Sequence, residues 1–414
     1  MEEKNKFLYQ RISKSGVKFF LEKNNTFPVV SMGVFVRSGS RYENPDKLGI
    51  SHFLEHAVFK GTKNRTAFEI SHEIEKLGGE LNAFTSPEYT LFYVKLLNKH
   101  IKKGFDVLSD IVKNAVFKEE LIEREKRVIL EEIEEYYDNP EDICQTEALR
   151  SIWGDQSVGN NPLGTKESVS KIGSKDLKLL YDKLFNKNNM LVSVAGDMDE
   201  SSAENLIEHY FGDAKAEGTV PEVKKPEYRF NDRKFDKKTT QFHIAVTLKG
   251  FPLYTRESLM QSVYTTILGG NMSSRLFQRL REESALVYTI YAYPVRFIDT
   301  GGTVIYASTS AEYVSKVRSG IEKEINDIAK HGVKEGEFSD AKEYILGNVI
   351  LGLETFSGRM QRNGVQSLFL GKVKKIEALI KEIESLSFDE FDVFARELSR
   401  SPRGSVLVGD INGR

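Results

Sequence analysis

Cysteine is almost absent from this chain: Cys144 is the only one in 414 residues. One cysteine cannot form an internal disulfide, and it excludes a zinc site built on several thiolates. Such usage fits a reducing compartment, so a cytoplasmic location is the expectation. Long apolar runs are missing too. No run of about 18 apolar residues occurs, so no segment is expected to span a membrane. The opening MEEKNKFLYQRISKSG is charged and lacks the apolar centre of a secretory signal. Charge of one sign is also lacking, since 59 Lys and Arg face 61 Asp and Glu. Without a basic excess, nucleic acid is not an expected partner. Without a long single-sign block, no charged disordered tail is expected.

What is present suits a folded enzyme-sized chain. Hydrophobic residues make up 40% and aromatic residues 11%, enough to bury substantial cores. The length exceeds one ordinary core and suits two domains of roughly 200 residues each. Residues 213–227, DAKAEGTVPEVKKPE, hold Gly, two prolines, mixed charge and little bulk, and read as a linker. The division expected is 1–215, a linker over 216–227, and 228–414. Both halves close on a similar strand, Met190-Leu191-Val192-Ser193-Val194-Ala195-Gly196-Asp197 and Gly404-Ser405-Val406-Leu407-Val408-Gly409-Asp410. Earlier strands are predicted at Val17 to Leu21 and Ser31 to Val36, with a pair at Leu81 to Thr85 and Tyr89 to Leu97. Helices are predicted from Thr66 to Leu77, stopped by Gly78-Gly79, and from Lys118 to Tyr137. A shift of 209 places Phe68 on Phe277, Leu77 on Leu286 and Ala83 on Ala292. A shift of 216 places Lys118-Glu119 on Lys334-Glu335 and Ile129-Leu130 on Ile345-Leu346. Together with the order of elements, these matches point to a duplicated fold.

One polar set is not duplicated. His52, Glu55 and His56, within GISHFLEHAVFKG, correspond to Gln261, Tyr264 and Thr265. A structural role common to both halves would not produce that asymmetry. On a helix, positions i, i+3 and i+4 share a face. Two imidazoles one turn apart suit two ligands on one Zn²⁺, and the glutamate between them is left to act on a water. This is the H-x-x-E-H pattern. The bland alternative is two exposed histidines beside a surface carboxylate; the apolar neighbours Phe53, Leu54, Ala57 and Val58 weigh against it. A catalytic zinc needs a third protein ligand. On the helix after Lys118, the residues Ile122, Val128, Ile129 and Ile133 mark a buried side. Glu125 and Glu132 lie beside that stripe on one face. The pattern alone leaves both open.

At this point the chain resembles the M16 peptidases, the inverted zincins. GISHFLEHAVFKGTKNR, LGGELNAFTSPEYTLFY and IEREKRVILEEI carry the resemblance, which extends over essentially the whole chain. It implies an α+β fold of two homologous domains, each a β-sheet packed against helices, facing each other around a chamber. It implies His52, His56 and Glu132 as the zinc ligands, Glu55 as the catalytic base, and Glu125 as a carboxylate that supports the site. MSSRLFQRLREESALVYTIYAY resembles the family's substrate-binding segment, which makes Arg281 and Tyr288 substrate and catalytic residues. The strand residues Leu81, Asn82, Ala83, Phe84 and Thr85 could pair with a peptide backbone as an added strand. The implied activity is zinc-dependent endopeptidase action on short or unfolded peptides. A noncatalytic structural subunit of the same family is the rival reading, disfavoured by the complete ligand set. An active subunit that needs an inactive partner is a second. Arg281 and Tyr288 on the same chain as the metal set point instead to a homodimer.

Overall fold

The computed structural model describes residues 8–412, so the charged residues 1–7 lie outside it. In chain order the first elements are β1 (Leu8–Ile12), β2 (Lys18–Lys23), β3 (Val29–Val36), α1 (Ile50–Val58), α2 (Ala67–Glu75), β4 (Glu80–Thr85), β5 (Thr90–Leu97), α3 (Ile101–Asn114) and α4 (Glu119–Asp138). Then come α5 (Pro140–Trp153), α6 (Lys166–Ser170), α7 (Ser174–Leu184), β6 (Met190–Gly196) and α8 (Glu200–Phe211). The remainder comprises β7 (Asp232–Asp236), β8 (Phe242–Lys249), α9 (Arg256–Thr265), β9 (Thr289–Arg296), β10 (Gly301–Thr309), α10 (Val314–His331), α11 (Glu335–Leu351), α12 (Phe356–Leu370), α13 (Ile376–Glu384), α14 (Phe388–Ser399) and β11 (Arg403–Gly409). The predicted strands and helices coincide with β2 to β6, β11, α2 and α4 to within a few residues. Helix α2 starts where its sequence predicts, because Thr66 and Glu69 form a reciprocal capping box. Asn139 and Pro140 stop α4 and at once open α5, with Asn139 as the N-cap.

The elements form two compact units. One is built from residues 8–133, Asn161–Val223 and Leu351–Lys374; the other from Glu134–Asn160, Lys224–Ile350 and 375–412. Of the five points at which the chain passes between them, the one at residues 223 and 224 lies inside the predicted linker, which carries neither helix nor strand. The expected contiguous division at 215 and 228 therefore leaves out two exchanged segments. Helix α5 belongs to the second unit and α12 to the first, because each covers the open face of that unit's sheet.

The first sheet runs β1-β2-β6-β3-β5-β4 and the second β7-β11-β8-β10-β9. In each, one parallel pair (β2 with β6, β7 with β11) sits beside antiparallel neighbours. Stripped of β1, the two orders match strand for strand, which is the duplication read from the element order. Strand β3 is buried on both faces, so it reads as an apolar run and not as an alternation. Its Val34 and Val36 share one core with Phe53 and Leu54 of α1 and Phe105 and Leu108 of α3. Its Phe35, with Leu91 and Leu191, faces Phe356 and Met360 of α12. In the second unit Cys144 and Ala148 of α5 pack on Ala245, Val304, Tyr306 and Val406. No helix among the described residues is long and apolar enough to cross a membrane.

Candidate metal centre

Helix α1 opens on Gly49, whose left-handed backbone (φ 87°) brings it against the Leu163 carbonyl, where a Cβ would approach to 2.5 Å. Gly49 has no side chain to cap the helix. The Glu43 carboxylate does so instead, accepting from the backbone N–H of Gly49 (2.7 Å) and of Ser51 (2.8 Å). Burial pushes Glu43 up to about 7, against the pull of those two bonds. Phe53, Leu54, Ala57 and Val58 sink into the core and leave His52, Glu55 and His56 on the opposite side of the helix.

The imidazole rings of His52 and His56 lie 4.5 Å apart, centroid to centroid. Nε2 of His52 is 3.9 Å, and Nε2 of His56 3.8 Å, from the same oxygen of Glu132 on α4. Those separations are too long for hydrogen bonds. They suit three donor atoms turned toward one common point, and one donor atom from each residue lies within 4.8 Å of the others. Two imidazole nitrogens and one carboxylate oxygen make the donor set of a catalytic zinc with a fourth position open.

The two imidazoles are held in different ways. Burial, and then the neighbouring His56, hold His52 down at about 4, so its imidazole is neutral. Nδ1 of His52 is buried without a hydrogen-bond partner. Nδ1 of His56 lies 2.8 Å from Glu125, which also takes Lys60 Nζ at 2.6 Å. With Nδ1–H donating to Glu125, the lone pair of His56 sits on Nε2, toward Glu132. Burial disfavours the charged His56, but Glu125, Glu132 and Glu55 outweigh it and hold the ring above its ordinary value. Burial would likewise raise Glu125, yet His56 and Lys60 keep it below the usual carboxylate range.

Glu55 stands apart from the three donors. Thr85, the last residue of β4, donates its hydroxyl to a Glu55 oxygen at 2.6 Å. Burial holds Glu55 above the ordinary carboxylate range, offset in part by Thr85 and His56. That suits a group that takes and returns a proton. Leu81 to Thr85 lie on β4, the edge strand, which among the described residues pairs with β5 alone. Arg281 and Tyr288 lie in the second unit. The Arg281 guanidinium rests over the Phe277 ring at 5.0 Å. Tyr288, 54% exposed, exchanges a hydrogen bond with Ser310 at 2.9 Å.

One expectation needs correction, and two residues of the site carried no sequence signal. Val128 is 43% exposed and not part of the buried stripe of α4, which consists of Ile122, Glu125, Ile129 and Ile133. Glu43 and Lys60 carried no pattern of their own; only a glutamate shortly before a helix-opening glycine hinted at the first. The second unit shows what stands in place of the motif. Gln261, on the equivalent helix α9, is fully buried and donates to the Gly302 carbonyl and the Thr303 hydroxyl, both at 2.8 Å. Tyr264 is buried against Ser399. Those positions serve packing.

Residues 18–166 match the family Insulinase (Peptidase family M16), and residues 171–345 match the Peptidase M16 inactive domain. A Bacillus subtilis protein named uncharacterized zinc protease YmxG is 34% identical over 395 residues, 95% of this chain and 96% of its own. A Rickettsia felis protein named uncharacterized zinc protease is 32% identical, over 93% of each chain. Two solved structures share the fold at a TM-score of 0.89. They are a peptidase M16 inactive domain from Pseudomonas fluorescens (16% identity, 97% of each chain) and a protease from Helicobacter pylori (19% identity, 97% of this chain and 99% of that one). With the whole-length likeness joined to the helix that carries His52, Glu55 and His56, the chain belongs to the insulinase family, peptidase family M16.

Proposed function

We propose that this protein is a zinc-dependent endopeptidase. The observation that carries the reading is the convergence of His52, His56 and Glu132 on one point, with Glu55 beside them but bonded elsewhere. His52, His56 and Glu132 would hold the zinc, and Glu125 would fix the ring of His56. Zinc in such a site supplies Lewis acidity, polarising a carbonyl and lowering the pKa of a water toward ~7. Glu55 accepts the proton of the attacking water and returns it to the leaving amine, while Thr85 holds its carboxylate in place. The open edge of β4 accepts the peptide as an added strand, so backbone more than side chain is read. Arg281 and Tyr288 act on the substrate, Tyr288 as a donor to the developing oxyanion. The family resemblance further supports action on short or unfolded peptides in an enclosed chamber by a cytoplasmic homodimer.

Metal analysis of the purified protein tests the reading, with peptide hydrolysis followed before chelation, after it, and after zinc is restored. One zinc per chain is expected, with activity lost and regained in step. Full hydrolysis by metal-free protein would overturn it.

A further inference from the structure

A cavity of about 730 Å³ opens in the first unit beside strand β1 and the end of α12. Its size is that of a small-ligand pocket. It borders the face of the first sheet that α12 covers, whereas α1 packs on the other face. Arg11, Lys18 and Arg37 line it, and among the described residues no carboxylate does. In a chain with slightly more acids than bases, that segregation is a local choice.

The three cations are not equally committed. Arg11 pairs with Glu200 at 3.2 Å. Among the described residues Lys18 reaches only the Asn188 carbonyl, at 3.4 Å. Arg37 lies over the Phe369 ring at 5.2 Å and donates one Nη2–H to the Leu368 carbonyl at 2.5 Å. Neither Lys18 nor Arg37 forms an ion pair among the described residues. Ser367 also lines the cavity, and its hydroxyl is buried without a hydrogen-bond partner. Met190, Leu191 and Leu370 supply an apolar wall. A guanidinium resting over a ring, with donors to spare, matches the two oxygens of a carboxylate. The wall then requires an apolar body on that anion.

We propose that this cleft binds an amphipathic monocarboxylate, its charge held between Arg37 and Lys18 and its body laid along Met190, Leu191 and Leu370. A fatty acid and the C-terminus of a peptide both offer that chemistry.

Calorimetric titration of the full-length protein distinguishes them. The probes are decanoate against decanamide, and the peptide Ac-Ala-Leu-Phe with a free against an amidated C-terminus. Saturable binding of one acid per chain is expected, with its neutral amide at least about tenfold weaker, the scale of a lost charge-assisted hydrogen bond. Lys18→Gln, at an exposed position, and Arg37→Gln should each weaken the acid by about tenfold. Binding of decanoate alone assigns a fatty acid, and binding of the free-acid peptide alone assigns a peptide terminus. His52→Ala protein should bind the acid as the parent does, so this test stands or falls apart from the zinc reading. Absence of saturable binding, equal affinity for acid and amide, or unchanged affinity in both variants would overturn the proposal.

Discussion

The two nitrogens of His56 face two different carboxylates, Glu125 at 2.8 Å and Glu132 at 3.8 Å, and this division orders the roles at the residue scale. On the proposed function, Glu55→Gln should keep zinc, because Glu55 is bonded to Thr85 and not turned into the donor set, while turnover should fall ~10²–10⁴-fold. His52→Ala, His56→Ala and Glu132→Gln lose metal affinity along with activity. Zinc content measured beside hydrolysis separates the two classes, and metal lost from Glu55→Gln but retained by Glu132→Gln would reverse the assignment. Glu125→Ala is subtler. It frees the ring of His56 and leaves Lys60 without its acceptor, so zinc affinity should fall ~10–100-fold in a competition titration against a chelator. The spacing of His52, Glu55 and His56 was legible because i and i+4 meet on any helix. Pattern left Glu125 and Glu132 equivalent, because seven residues return to the same face. Their separation depends on where α1 crosses α4, which no local spacing encodes.

At the scale of elements, the segment after α1 is tied down by a charge cluster. Asp110 on α3 accepts from Thr62 (2.6 Å), Asn64 (2.6 Å) and Asn114 (2.8 Å) and pairs with Arg65 at 2.8 Å; Arg65 also reaches Glu73 and Asp106. Burial would raise Asp110, but Thr62 and the other donors keep it below the ordinary range. A carboxylate with a depressed native pKa stabilises the fold above its unfolded value of about 3.9, and that contribution is lost as pH falls through the native value. Asp110→Asn should therefore lower the melting temperature at pH 7 and shrink the difference from the parent below about pH 4. An equal difference at both pH values would remove the charge from the explanation. Helix α12 rests on a different device. A Cβ on Gly364 would lie 2.1 Å from the Phe35 ring, and one on Gly33 2.6 Å from the Met360 sulfur. Gly364→Ala should destabilise by ~1–3 kcal/mol, the cost of overpacking a filled core, read as a lower urea midpoint. An unchanged midpoint would mean that α12 shifts freely on the sheet.

The whole molecule is two duplicated units that exchange helices. A fragment cut at the boundary read from composition, residues 1–215, lacks α12 and bares Phe35, Leu91 and Leu191. It should express as an aggregating or expanded chain without a cooperative melt, whereas the full chain melts cooperatively. A fragment that melts sharply, with native zinc content, would show α12 to be dispensable. By itself the sequence determined β2 to β6, β11, α2 and α4, the duplicated order and the motif helix, because capping, periodicity and turn chemistry act over a few residues. Its likeness to a family supplied the rank of the two glutamates. Tertiary structure alone decided that α12 covers the first sheet and α5 the second, that Glu43 caps α1, and that Thr85 meets Glu55. An amphipathic helix states that it will bury one face, but not against which sheet. A lone carboxylate or hydroxyl gains its partner only when distant segments are packed side by side.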